Sequence, residues 1–326
     1  MMQRRQCSAA LLALGALPYT SAAQPRLPSR PIRLVVPFGP GGVADLMVRI
    51  VSRTLSEMLG GPPIVVDNRP GAGGVLAAEQ VARAAPDGQV LLLMSNANAV
   101  AESLFASLTY STVRDFAPIS LLGRFDLAMV VAHTSPLLSF QGLLAQARAR
   151  PGQLNIGTLY SGSTPHLAAE LLKSTLGLDV QLVPYNSSAA LFHALRGQQV
   201  DAAVDMLAPV LAHVEGRLLR ALVVMGGRRA AALPGVPTVS ESDAAASGFD
   251  VTSWNGLAAP ANTAPATIAR LSAAANAALA SADVAQRLQR LGVVPEGSTP
   301  AELATLLQRD IQRWAGVIAR AGIARP

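Results

Sequence analysis

Short apolar runs that alternate with stretches of helical periodicity constrain this chain more than any other feature. The runs fall at 32–36, 64–66, 90–94, 127–131, 154–157, 180–183, 202–204 and 219–224. Between them, 44–59, 74–84, 140–149, 165–176 and 189–196 carry apolar residues at three- and four-residue spacing. This alternation predicts βαβ units, with parallel sheets covered on both faces by helices. The pattern restarts near Leu127 after the polar break Gly123-Arg124-Phe125-Asp126, so two sheets are expected rather than one. A turn-rich stretch, 233–265, then leads to two long helices without strands, which must pack on an earlier lobe. The last carries a capping box, Thr299-Pro300-Ala301-Glu302, and Gly322 just past its end. The expected fold is α/β, two doubly wound lobes around a ligand cleft. Residues 24–126 plus 252–326 form the first lobe and 127–251 the second, with Ser253-Trp254-Asn255 crossing between them.

The first 23 residues read as an export signal rather than structure. Met1-Met2-Gln3-Arg4-Arg5 is basic, Cys7 to Leu17 is a short apolar core, and Ser21-Ala22-Ala23 offers a cleavage site. Arg4-Arg5 alone does not separate general secretion from twin-arginine export. No other apolar run approaches the roughly 18 residues of a membrane span. Cleavage removes two arginines and no acid, lowering the formal charge from +6 to +4, and takes the only cysteine with it. The mature chain therefore relies on its core and not on disulfides. Its arginines are scattered and only 4% of residues are aromatic, which argues against a nucleic-acid partner.

Ile32 to Met47 holds the pattern strand, Gly39-Pro40-Gly41-Gly42-Val43-Ala44, helix, and Asp67 closes the next apolar run. This spacing matches a dinucleotide fingerprint. Three details oppose that reading: Pro37-Phe38 separates strand from glycine, Pro40 removes an N–H, and the export signal leads away from nicotinamide cofactors. What survives is a glycine-rich turn at a helix N-terminus, which suits an anion such as a carboxylate. A second such turn follows the run 154–157: Tyr160, Ser161, Gly162, Ser163 and Thr164 precede Pro165 at the start of a helix. Two such loops at carboxyl ends of strands mark where open sheets bind ligands. Phe38 and Asp45 flank the first loop, and Ser95 ends the third strand.

Catalytic patterns are absent: no G-x-S-x-G, no H-E-x-x-H, no mature cysteine. His133, His166, His193 and His213 show no metal-ligand spacing. His166 is read as either a ligand contact or a satisfied helix histidine. Asp45 suits the first turn of its helix, and Asp205 suits a ligand or cross-cleft contact. Binding without chemistry, cofactor or metal is the simpler expectation.

The ordered motifs carry a resemblance. Pro31-Ile32-Arg33-Leu34-Val35-Val36-Pro37-Phe38, Pro40-Gly41-Gly42 with Asp45, Asn68-Arg69-Pro70-Gly71-Ala72-Gly73-Gly74 and Pro86-Asp87-Gly88 stand first. His166-Leu167-Ala168, Val183-Pro184-Tyr185, Gln199-Val200-Asp201, Leu219-Arg220-Ala221-Leu222, Leu233-Pro234, Val236-Pro237-Thr238 and Ala321-Gly322-Ile323 follow. In this order they resemble the solute-binding receptors of tripartite tricarboxylate transporters, the Bug or TctC family. The resemblance implies a type II periplasmic-binding fold, a small carboxylate held by the two loops, and a large and a small membrane subunit as partners. It also implies that the loop at Tyr185 and the region of Asp205 help close the pocket, and a periplasmic monomer is expected. Three departures fall at the implied site. Val43-Ala44 replace a glycine and a hydroxyl residue, Tyr160 replaces a glycine, and Asn186-Ser187 replace a lysine and a glycine. They point to a smaller or less polar ligand, an aromatic or monocarboxylic acid. An exported enzyme and a sensor for a membrane signalling partner are the other function classes compatible with these residues.

Overall fold

The computed structural model describes residues 30–61 and 63–323, so the expected leader lies outside it. The chain begins β1 (Ile32–Val36), α1 (Val43–Leu59), β2 (Ile64–Asn68), α2 (Val75–Ala82), β3 (Val90–Ser95), α3 (Asn96–Leu104) and β4 (Phe116–Phe125). It then builds β5 (Leu127–Ala132), α4 (Phe140–Ala149), β6 (Asn155–Leu159), α5 (Thr164–Leu176), β7 (Gln181–Tyr185) and α6 (Ser188–Arg196). Next come β8 (Ala202–Met206), α7 (Leu207–Glu215), β9 (Leu219–Val224) and the short α8 (Val239–Ser242). The last segment is β10 (Ser253–Pro260), α9 (Pro265–Ala280), α10 (Ala282–Arg290), β11 (Val293–Pro295) and α11 (Pro300–Ala321).

Two sheets result, a six-stranded one ordered β11-β4-β10-β3-β1-β2 and a five-stranded one ordered β7-β6-β8-β5-β9. Side chains alternate across the first sheet. Leu34, Leu91 and Leu93 face α1 and α9, whereas Val35, Leu92 and Met94 join the cluster that holds Trp314 and Val317 of α11. That second cluster continues into the other lobe through Leu127, Met129, Ile156 and Leu167, so α11 seats on both lobes. Ala128, Val130 and Ala203 turn to the opposite side, against Leu191 of α6 and Val210 of α7.

Both sheets are mixed, not parallel as the alternation predicts. β10 runs antiparallel to β3 and β4, and β5 antiparallel to β8 and β9. Gly123-Arg124-Phe125 is no break but the end of β4, and only Asp126 separates it from β5. The chain returns to the first lobe at Ser253: Val251 N–H still donates to the Met225 carbonyl beside the second sheet, and Ser253 opens β10, a central strand of the first. Its Asn255-Gly256 breaks the strand pattern for a packing reason. A Cβ on Gly256 would lie 2.9 Å from Leu303 Cδ2 and 3.0 Å from the Ser120 carbonyl, so glycine lets α11 approach the sheet. β4, β10, β11, α3 and α7 were not legible from periodicity, and three C-terminal helices stand where two were expected. The capping boxes hold: Glu302 N–H donates to Thr299 Oγ1 at 3.2 Å and Thr299 N–H to Glu302 Oε2 at 2.8 Å. No helix among the described residues is long and apolar enough to cross a membrane, and no His, Cys, Asp or Glu cluster among them could hold a metal ion.

Candidate functional site

A cleft of about 520 Å³ opens between the lobes at the carboxyl ends of β1, β2, β3, β6 and β8. No residue lining it carries a charged side chain. Its polar groups are brought together by the strands and helices that end there. Ser95 closes β3, caps α3 and is the register partner of Asn255 in β10. Next to it, Asn96 donates its amide to Thr164 Oγ1 at 2.9 Å across the lobes, and Ser163 caps α5. Both helix N-termini, with their partial positive ends, therefore meet at one place.

The hydroxyls there share one property. Ser95 Oγ accepts from Ala97 N–H at 3.3 Å, Ser163 Oγ from His166 N–H at 3.3 Å, and Thr164 Oγ1 from Asn96. Each keeps its O–H proton, which meets no acceptor among the described residues. Such a cluster is a donor site, matched to an acceptor-only group such as a carboxylate.

The sequence-predicted residues divide. Phe38, Gly39, Ser95, Tyr160, Ser161, Gly162, Ser163 and Thr164 line the cleft. Gly162 adopts φ +83°, and a Cβ there would lie 2.7 Å from Leu104 Cδ2, so this turn needs glycine. Pro40, Gly41, Gly42, Val43, Ala44 and Asp45 do not reach the cleft. Val43 and Ala44 instead pack on the core of the first lobe, so their departure from the family pattern acts on packing and not on the cleft wall. His166 is the satisfied helix histidine: its Nδ1 accepts Gly162 N–H at 3.4 Å, and burial lowers its pKa and favours the neutral ring. Tyr185 packs with the α6–α7 layer, Asn186 is exposed, and Asp205 is fully buried; none of the three lines the cleft.

Asp45 shows why the first loop turns away. Its carboxylate, 2% exposed, accepts Gly41 N–H at 2.9 Å, Asn68 Nδ2 at 2.9 Å and Arg49 Nε at 3.0 Å. The chain thus supplies its own anion to the loop. The Arg49 hydrogen bond first, against desolvation, and then Gly41 and Asn68 hold its pKa down at about 2. A depressed carboxyl stabilises the fold above its ordinary pKa, and that contribution is lost as pH falls through about 2. Asp45→Ala is expected to cost about 2 kcal/mol at neutral pH, read as a lower urea midpoint, because three donors lose one acceptor.

Periodicity missed several lining residues: Pro70 to Gly74, the α3 face, Met206 and Asn255. The signal for the first was present, since Gly71, Gly73 and Gly74 all take positive φ in a loop between strand and helix.

The family model of the tripartite tricarboxylate transporter family receptor, TctC, matches residues 47–323. The chain belongs to this family. BugT of Bordetella pertussis is 37% identical to the receptor over 297 residues, covering 90% of each chain. Among solved structures, MatC of Rhodopseudomonas palustris with bound malate is 32% identical, with a TM-score of 0.74 over 89% of this chain and 99% of that one. An R. palustris protein with adipate is 31% identical, with a TM-score of 0.78 over 91% and 99%. The family is one of receptors, so this chain is a binding protein and not an enzyme. The motif resemblance and the two-lobed α/β fold are both borne out.

Proposed function

We propose that the receptor captures a small carboxylate between its lobes and delivers it, as a periplasmic monomer, to a large and a small membrane subunit. The lobes of this reading are 24–126 plus 252–326 and 127–251, after removal of the leader 1–23. The observation that carries it is the set of three hydroxyls, Ser95, Ser163 and Thr164, whose oxygens already accept within the protein and whose protons remain for a ligand. Malate in MatC and adipate in the R. palustris protein support the same ligand chemistry. Of the first loop, Phe38 and Gly39 contribute, with Ser161, Gly162 and Tyr160 facing them from the second lobe. Micromolar binding requires about 8 kcal/mol, within reach of a few charge-assisted hydrogen bonds together with two helix N-termini.

Calorimetric titration of the mature chain with a panel of mono-, di- and tricarboxylates tests this. At least one should bind with a dissociation constant near or below about 10 μM. Thr164→Val should weaken that ligand about 10–100-fold, since a hydrogen bond to a charged group contributes about 1.5–3 kcal/mol. Thr164→Ser, which keeps the hydroxyl, should retain binding. A panel without any ligand, or equal affinities for the valine and serine variants, would overturn the reading.

A further inference from the structure

We infer that the cleft selects a monocarboxylate with an apolar tail, alkyl or aryl, over a dicarboxylate of the same length. The inference rests on the carboxylate reading above. Ser95, Ser163 and Thr164 gather around Asn96 at one end, with Asn255 across from Ser95; the Tyr160, Ser161 and Ser253 hydroxyls also line the cleft, and no charged side chain does. Away from that end, the cleft wall is α3. Ala97, Val100, Ala101 and Leu104 recur at three- and four-residue spacing along its face, and Phe105 follows. At 1.5 Å per residue this stripe runs about 10 Å from Ala97 to Leu104, long enough for a six-carbon chain or a benzene ring. Leu159, Met206 and Phe38 complete the lining with more apolar surface. Gly162 closes onto the stripe, since the nearest atom to a Cβ placed there is Leu104 Cδ2.

A second carboxylate would have to lie along this wall. The nearest rival for it is the loop from Pro70 to Gly74, which brings no side-chain donor. Its Gly74 N–H returns to the Gly71 carbonyl at 2.9 Å, and Gly73 faces the Phe105 ring. The neighbouring cations are engaged as well: Arg69 pairs with Asp67 at 3.0 Å, and Arg49 with Asp45 at 3.0 Å. A charge placed there would lose its water and meet no side-chain donor or free cation, only backbone N–H groups of the loop, whereas a methylene or aryl group gains from the same burial.

Hexanoate and adipate differ only in the second carboxylate and so isolate the question. Titrated separately into the mature chain at pH 7.5, hexanoate should bind at least ten-fold tighter than adipate, with benzoate grouping with hexanoate. Leu104→Asn, at a half-buried position where the fold should tolerate it, should weaken hexanoate at least five-fold and narrow the gap to adipate. Unchanged melting temperature would certify that variant. Adipate binding as tightly as hexanoate would overturn this inference and leave the carboxylate reading intact. So would a hexanoate affinity indifferent to Leu104→Asn. Failure of every carboxylate in the wider panel would remove both.

Discussion

Asn96→Ala is expected to lower stability by about 3–5 kcal/mol, because one amide serves two buried donor–acceptor contacts from different parts of the chain. Asn96 is 1% exposed. Its Oδ1 accepts Trp314 Nε1–H at 2.7 Å, and its Nδ2 donates to Thr164 Oγ1 at 2.9 Å. Trp314 belongs to α11 and is fully buried, so the truncation strands an indole N–H in the core that α11 shares with both lobes. An unsatisfied buried group costs about 1–3 kcal/mol, and the cavity left by the side chain adds to it. Urea unfolding followed by tryptophan fluorescence gives the number. Trp314→Phe, which deletes one of the two contacts and keeps most of the ring, should cost less than Asn96→Ala. Its effect should not add to that of Asn96→Ala, since the two share a bond. A loss below about 1 kcal/mol for Asn96→Ala would show that water replaces the amide and that the lobes are held by apolar packing alone. The same bond matters for function because it fixes the N-termini of α3 and α5 beside each other. Loss of that geometry should weaken ligand binding along with stability.

The parts of this molecule that were legible in sequence are those in which a local rule and the tertiary structure agree. Thr299 and Glu302 cap α11 as their spacing requires, and Ser163 with Pro165 starts α5 where the polar turn predicts. Gly162 is recognisable as a turn residue, although its closeness to Leu104 is a tertiary fact. Legibility ends where packing overrides periodicity. β10 is buried along its whole length, so it shows no alternation, and its Gly256 is set by the approach of Leu303. The N-terminal half of α3 carries Asn96 and Asn98, which are poor helix formers. Their reasons are local and distant at once: Asn98 Oδ1 accepts Ser95 N–H at 2.8 Å, and Asn96 bridges two other helices. The first glycine loop is divided: its Gly41 N–H serves the chain's own Asp45, while Phe38 and Gly39 line the cleft.

Asp205→Asn is expected to gain about 2 kcal/mol on the native chain between pH 4.5 and pH 8. Asp205 ends β8 with no exposed surface; its Oδ1 accepts Met206 N–H at 2.7 Å, and its Oδ2 has no hydrogen bond. Burial pushes its pKa up to about 6, against the smaller effects of the nearby Ser188 hydroxyl and the Met206 N–H, and no charged neighbour contributes. Between the ordinary value of 3.8 and about 6, the native state holds a proton that the unfolded state has released. Raising the pH through that window therefore favours unfolding, and above about 6 the full cost of the buried charge is present. An asparagine carries no charge at any pH and keeps an oxygen for the Met206 N–H, so the variant escapes this cost. The decisive quantity is the difference between variant and native chain, because it cancels every other titrating group. Urea midpoints of both proteins at pH 4.5 and pH 8 supply it. A variant that gains nothing between the two pH values would mean that the carboxylate finds a partner on ionisation, with the Ser188 hydroxyl at the start of α6 the group placed to provide it.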